Sequence, residues 1–344
     1  MNARLLPKAI MISLVVFSSC GKNTQENTTD RVVLSGEKLS GYILENENLR
    51  IRVVDNQKRY IHLIDNYMPG YNGLAALLDK KQNKNIYAFG GLNLEWTHTW
   101  PPAGKVYELW NAPRVAPMQI KLLADSSVML SQAAADAAGL NFEIRFRLGN
   151  YYVDQEITYW PDNDIDSSSF FFASYMNQVQ NTSIFLRTPG NDLQEKEWFE
   201  ITSAGHYSSD GTGIFARPFD PYGKTWANHL RDNPLLRQQV RESPGSRKAT
   251  LEAGFKEYNR GMDHFYYGLV DDYEYLMIFK EPTFFFWISA SGATALRSPA
   301  WDYGMNSGKQ LAGEKKTCHV RLVYKPFTGV EDVLSEVKTF IGSD

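Results

Sequence analysis

Residues 141–148 read Asn141-Phe142-Glu143-Ile144-Arg145-Phe146-Arg147-Leu148. Apolar side chains fall on even numbers, polar or charged ones on odd numbers. A period of two is that of a half-buried β-strand, so Phe142, Ile144, Phe146 and Leu148 line one buried face. Gly149-Asn150 is a turn signal, and residues 153–160 follow it as a further strand. Outward from there, residues 49–54, 169–176, 182–186, 274–279, 284–289 and 319–324 read as further strands. Helical patterning is sparse. It is confined to a short helix over 72–81, one or two helices over 226–241 broken at Pro234, and a terminal helix over Val330–Ile341. Many short strands separated by turn residues predict an all-β fold, a large antiparallel β-sandwich with a few short helices and a C-terminal helix.

The chain has 344 residues, enough for two domains or for one large β unit. No linker interrupts its middle, so residues 37–344 read as a single sandwich domain. With 36 basic and 39 acidic residues the net charge is −3. That leaves no basic excess to hold a phosphate backbone, and no nucleic-acid partner is expected. Aromatic residues are plentiful, with 8 Trp, 19 Tyr and 19 Phe.

The N-terminus reads as an export leader. Arg4 and Lys8 form a basic region, and residues 9–17 are apolar but far shorter than a membrane-spanning helix. Val16-Phe17-Ser18-Ser19-Cys20 resembles the lipobox of bacterial lipoproteins, with Phe17 where leucine is usual. The resemblance implies removal of residues 1–19, lipid on Cys20, and an exported protein held at the cell envelope by that lipid alone. Residues 20–36 are polar and read as a flexible tether. Cys318 is then the sole remaining cysteine, placed in an alternating run as a small buried hydrophobe.

Three stretches resemble the galactose mutarotase-like superfamily, whose fold is a β-supersandwich. Gly90-Gly91-Leu92-Asn93-Leu94-Glu95-Trp96 is similar to the strand that borders the sugar site in that group. Residues 154–161 are similar to the strand and turn before the family's signature. Phe171-Phe172-Ala173-Ser174-Tyr175-Met176-Asn177 stands where aldose epimerases carry a His-Thr-Tyr-Phe-Asn type of motif. Ser174 replaces the histidine that serves those enzymes as acid, and Glu281 is the nearest candidate for their late glutamate base. The resemblance therefore implies the sandwich and a sugar ligand rather than aldose epimerisation itself.

Candidate site residues follow from residue chemistry. Glu95, Trp96, His98 and Trp100 lie within six residues of one another, and indoles bind the C–H faces of pyranose rings. Strict alternation puts Trp96, His98 and Trp100 on one face and Glu95 on the other. Tyr107, Trp110 and Arg114 come next, and the guanidinium suits a carboxylate such as that of a uronic acid. His206-Tyr207 and His264, with Tyr266 two residues on, offer imidazole and phenol for acid–base work on a sugar. Tyr175 and Asn177 add polar contacts, and Trp301 with Asp302 offers another stacking surface and an acid. The six histidines show no metal-ligand spacing, so no cofactor is expected, although distant histidines can converge on a metal. There is no phosphate-binding glycine loop and no serine-hydrolase elbow. The arginines of residues 228–248 read as a solvated helix face.

Taken together, these features predict acid–base chemistry of lyase, isomerase or hydrolase type on a sugar or glycoside. His206 and His264 act as acid and base, with Tyr207 and Tyr266 assisting. A glycan-binding lipoprotein without catalysis and an envelope protein whose aromatics are all core are the alternatives. The enzyme reading requires His98, His206 and His264 to share one cleft.

Overall fold

The structure is a computed structural model that describes residues 41–56, 71–105, 110–111, 113–125, 127–134, 139–177, 179, 183–189, 196–202, 212–215, 263–281, 284–290 and 299–342. The leader, the tether, Cys20, Tyr107, His206, Tyr207 and the expected helices of 226–241 lie outside the described residues.

Two antiparallel sheets face each other. The first runs β1 (Gly41–Glu45), β2 (Leu49–Val54), β3 (Gly73–Asp79), β4 (Tyr87–Trp100), β10 (Ser167–Met176), β17 (Pro299–Ser307), β16 (Phe284–Ala290) and β13 (Thr212–Phe215), with β5 (Trp110–Asn111) paired to β4. The second runs β12 (Lys196–Thr202), β11 (Ser183–Pro189), β14 (Phe265–Val270), β15 (Tyr273–Phe279), β18 (Lys316–Pro326), β9 (Tyr152–Pro161), β8 (Leu140–Leu148), β7 (Val128–Gln132) and β6 (Met118–Leu122). The alternating stretch is β8, and its partner β9 pairs Ile157 with Ile144. Phe142, Ile144 and Phe146 are buried as expected.

Their inner-face partners come from the first sheet. Phe170 meets Phe142 edge-on at 5.4 Å and Tyr159 at 4.8 Å, and Phe172 stacks on Tyr303 at 5.1 Å. Such contacts add about 0.5–1.5 kcal/mol each beyond area burial. The core thus closes between β8, β9 and β18 on one side and β4, β10 and β17 on the other. Cys318 is buried in it, and burial pushes its thiol well above the ordinary range.

One expected helix is a strand. Residues 72–81 hold β3, which pairs with β2 and β4. The run Leu74-Ala75-Ala76-Leu77 is buried on both faces of a central strand, and a continuous apolar run of that length has no period to separate strand from helix.

The terminal helix, α1 (Val330–Ile341), matches the expected span. It lies on the outer face of the second sheet, where Val333 and Phe340 pack with Phe265, Tyr267, Leu276, Ile278 and Val323. Arg321 ties it down. Its guanidinium lies 3.7 Å from the Tyr152 ring centre and 4.6 Å from that of Phe340, and it bonds both oxygens of Asp154 at 2.6 and 3.0 Å. No helix among the described residues is long and apolar enough to cross a membrane.

Candidate functional site

The face of the first sheet turned away from the core carries the clustered polar chemistry. On β10, Phe170 and Phe172 enter the core, which leaves Phe171 and Tyr175 on the opposite face. On β4, Leu92 and Leu94 enter the core. Phe171 then opposes Trp96 while Phe172 opposes Leu94, so Glu95 is the extra residue of a β-bulge. Beyond the bulge Thr97 and Thr99 are buried, and Trp96, His98 and Trp100 point outward, half-buried. Glu95 therefore joins Trp96 on the outer face, contrary to strict alternation.

Arg114 meets Glu95 there. Its Nη1 lies 2.8 Å from Glu95 Oε1, its Nη2 donates to the Tyr175 hydroxyl at 3.1 Å, and its Nε donates to Asn93 Oδ1 at 2.9 Å. Tyr175 in turn donates to Glu95 Oε1 at 3.4 Å. About a quarter of each charged side chain is open, 22% for Arg114 and 27% for Glu95. Burial raises the Glu95 carboxyl above its ordinary value, and the pull of Arg114 and Tyr175 only partly offsets this. Burial also pushes the Tyr175 phenol well up.

The arginine is placed by its turn. Asn56, buried, donates to the carbonyls of Pro113, Arg114 and Ala116 and accepts from Met118 N at 3.1 Å. Gln132, also buried, donates to Pro113 O at 2.8 Å and Ala116 O at 2.7 Å. Two amides thus saturate a turn whose carbonyls have no ladder to join. Two aromatic pairs lie along the same face: Trp96 stacks on Phe171 at 4.9 Å, and His98 on Trp100 at 4.2 Å.

Several expected site residues are elsewhere. Tyr266 is completely buried and donates to Trp301 O at 2.7 Å, so it is a core residue and no catalytic assistant. Trp301 is completely buried beside Tyr275 and offers no stacking surface. Asp302 is buried and accepts from Ser174 N at 2.6 Å, and burial drives its carboxyl well above the usual range. With Trp301 and Tyr303 turned into the core, Asp302 lies on the same side of the sheet as Glu95 and Arg114, whose charges reach it, but it is covered and offers a sugar no exposed acid. Asn177 braces the turn before β4, donating to Asn85 O at 3.2 Å.

His264 immediately precedes β14 on the second sheet, while His98 is on the outer face of the first. The two histidines are thus carried by different sheets. Trp110 pairs its backbone with His98 through β5. Among the described residues no group of three His, Cys, Asp or Glu side chains could hold a metal ion. Sequence reading missed Asn93, Tyr71, Asn56 and Gln132. Of these, only Asn93 lay in a stretch already singled out.

No protein-family model matches the chain, and no curated protein matches it. Solved structures do. A putative aldose 1-epimerase from Escherichia coli K12 is similar at a TM-score of 0.48 and 9% identity, over 83% of this chain and 99% of that one. A galactose mutarotase-like protein from Lactobacillus casei is similar at 0.47 and 9%, over 83% and 100%. An alpha-N-acetylgalactosaminidase from Bifidobacterium bifidum is similar at 0.49 and 10%, over 87% of this chain and 38% of that one.

Proposed function

We propose that this protein binds a sugar or glycoside on the outer face of its first sheet and acts on it by acid–base chemistry, with Glu95 moving the proton. The observation that carries this is the Glu95–Arg114–Tyr175 cluster, set on a face that also presents the Trp96–Phe171 and His98–Trp100 stacks. A carboxyl raised by burial keeps more of its acid form near neutral pH, as proton transfer to a sugar oxygen requires. Arg114 stabilises negative charge building on that oxygen, and Tyr175 holds both groups in register. The half-buried indoles of Trp96 and Trp100 supply apolar surface for a pyranose.

The test is a panel of glycans, glycosides and uronides, with products read by mass spectrometry. Glu95→Gln should lower turnover about a hundred- to ten-thousand-fold and leave affinity within a few-fold. Undiminished turnover in that variant removes Glu95 from the reaction. Binding without turnover by the wild type would favour the second reading, a glycan-binding protein, which the direct Glu95–Arg114 ion pair supports.

The proposal includes an exported, lipid-anchored location, supported by the leader and the lipobox-like run ending at Cys20. Cys20→Ala should abolish incorporation of a labelled fatty acid and move the protein from the membrane fraction to the soluble one. Retention of label in that variant would refute lipidation at Cys20.

A further inference from the structure

Arg114 presents five N–H donors, and three of them are taken by Asn93, Glu95 and Tyr175. Those bonds run in the guanidinium plane and leave its two faces to be covered by packing. Tyr71 covers one face of it, with Arg114 Cζ 4.0 Å from the ring centre. The same ring stands edge-on to Tyr175 at 5.7 Å.

The seat of Tyr71 is a glycine. A Cβ built on Gly90 would lie 1.9 Å from Tyr71 Cδ1 and 2.1 Å from its Cγ, so any side chain there evicts the ring. Gly91 next to it has φ +64°, and a Cβ there would meet Leu74 O at 2.2 Å. The residue after Tyr71 fixes the segment from the other side. Asn72, fully buried, donates to Leu94 O at 3.0 Å and accepts from Leu94 N at 3.1 Å, one residue before the bulge. The Gly90–Gly91 pair and Asn72 therefore bring an aromatic ring from a distant strand entry onto the arginine.

We infer that Tyr71, seated over Gly90, is a positioning residue that packs one face of the Arg114 guanidinium and reinforces the plane set by its three bonds, keeping the two remaining N–H groups presented to a ligand oxygen or oxygen pair. The ring meets Arg114 through its π face. This rests on the sugar-site reading for its purpose, but the clamp itself is measurable without any sugar.

The experiment uses the full chain labelled with ¹⁵N-arginine, with the Arg114 signals assigned by their loss in Arg114→Lys. In the wild type, rotation about the Arg114 Cζ–N bonds should be slow enough to give separate Nη signals. Tyr71→Leu should speed that rotation about three- to thirty-fold, the range a lost cation–π contact allows, and Tyr71→Phe should leave it unchanged.

Averaged Nη signals in the wild type, unchanged rotation in Tyr71→Leu, or an equal effect of Tyr71→Phe would each overturn the assignment. The wild-type measurement needs no variant to fold. Where the wild type binds a glycan, Tyr71→Leu should weaken it and Tyr71→Phe should not. A wild type that binds none of the panel but keeps its slow rotation refutes the sugar reading alone and leaves the clamp in place.

Discussion

Trp301→Ala should cost the fold about 3–5 kcal/mol, the range for emptying a fully buried aromatic site. Trp301 is completely buried, its backbone N–H donates to Ser174 Oγ at 3.0 Å, and its carbonyl accepts the Tyr266 hydroxyl. The indole lies against Gly268 of β14: a Cβ there would stand 2.4 Å from Trp301 Cη2 and 2.6 Å from Cζ3. Gly268→Ala alone should therefore also destabilise, by about 1–3 kcal/mol, because the pinned indole cannot retreat. The double variant should lose less than the two single costs combined, since removing the indole removes the clash. Chemical denaturation of the four proteins checks this. Strict additivity would mean that Trp301 and Gly268 are not in contact, and a native-like Trp301→Ala would restore the indole as a surface residue.

The second large effect is a pH dependence on the other sheet. Glu274 shares the outer face of β15 with Leu276 and Ile278 beneath α1 and is completely buried. Neither carboxylate oxygen has a hydrogen-bond partner among the described residues. Among the described residues the nearest cation is Lys325 of β18, 3.9 Å away and already bonded to Glu336 at 2.6 Å and Asp332 at 3.1 Å, both on α1. Leu269 of β14 is its cross-strand neighbour on the other side, and the charge of Glu274 reaches Tyr267. Burial pushes the Glu274 carboxyl up to about 8; Lys325 draws it back, while Asp332 and Glu336 add to the rise.

The folded chain thus holds this proton more tightly than the unfolded chain, whose glutamate titrates near 4.5. The stability contributed by this group is complete below the unfolded value, falls as pH rises through the window from 4.5 to about 8, and is flat above it. Glu274→Gln cannot ionise and should lack that fall. Relative to the wild type it should gain on the order of a few kcal/mol between about pH 5 and about pH 9. Denaturation of both proteins at the two pH values decides the matter: a difference that does not change with pH would show that Glu274 is already ionised in the fold.

The strands were legible where one face is buried and the other wet. β8 and β9 carry that contrast residue by residue, and α1 shows its apolar stripe just as openly. Legibility failed where both faces are covered. β3 then resembled a helix, and β17, buried along its whole length, offered Trp301 and Asp302 as apparent site residues.

A tryptophan or aspartate inside a central strand is indistinguishable in sequence from one lining a cleft. Arg114 was found because its Pro-bounded turn is a local feature. Glu95 was found as a residue and assigned to the wrong face, because a bulge leaves no mark on alternation. Tyr71 was missed because its role depends on Gly90, Asn72 and Arg114 meeting across separate strands. No spacing along one stretch records that.

Glu95 is supernumerary in its ladder. Excising it would let Leu94 run directly into Trp96, with Leu94 and Thr97 still turned inward opposite Phe172 and Phe170. The carboxylate can thus be lost or gained by a single-codon deletion or insertion without reassigning any neighbouring side chain to a new side.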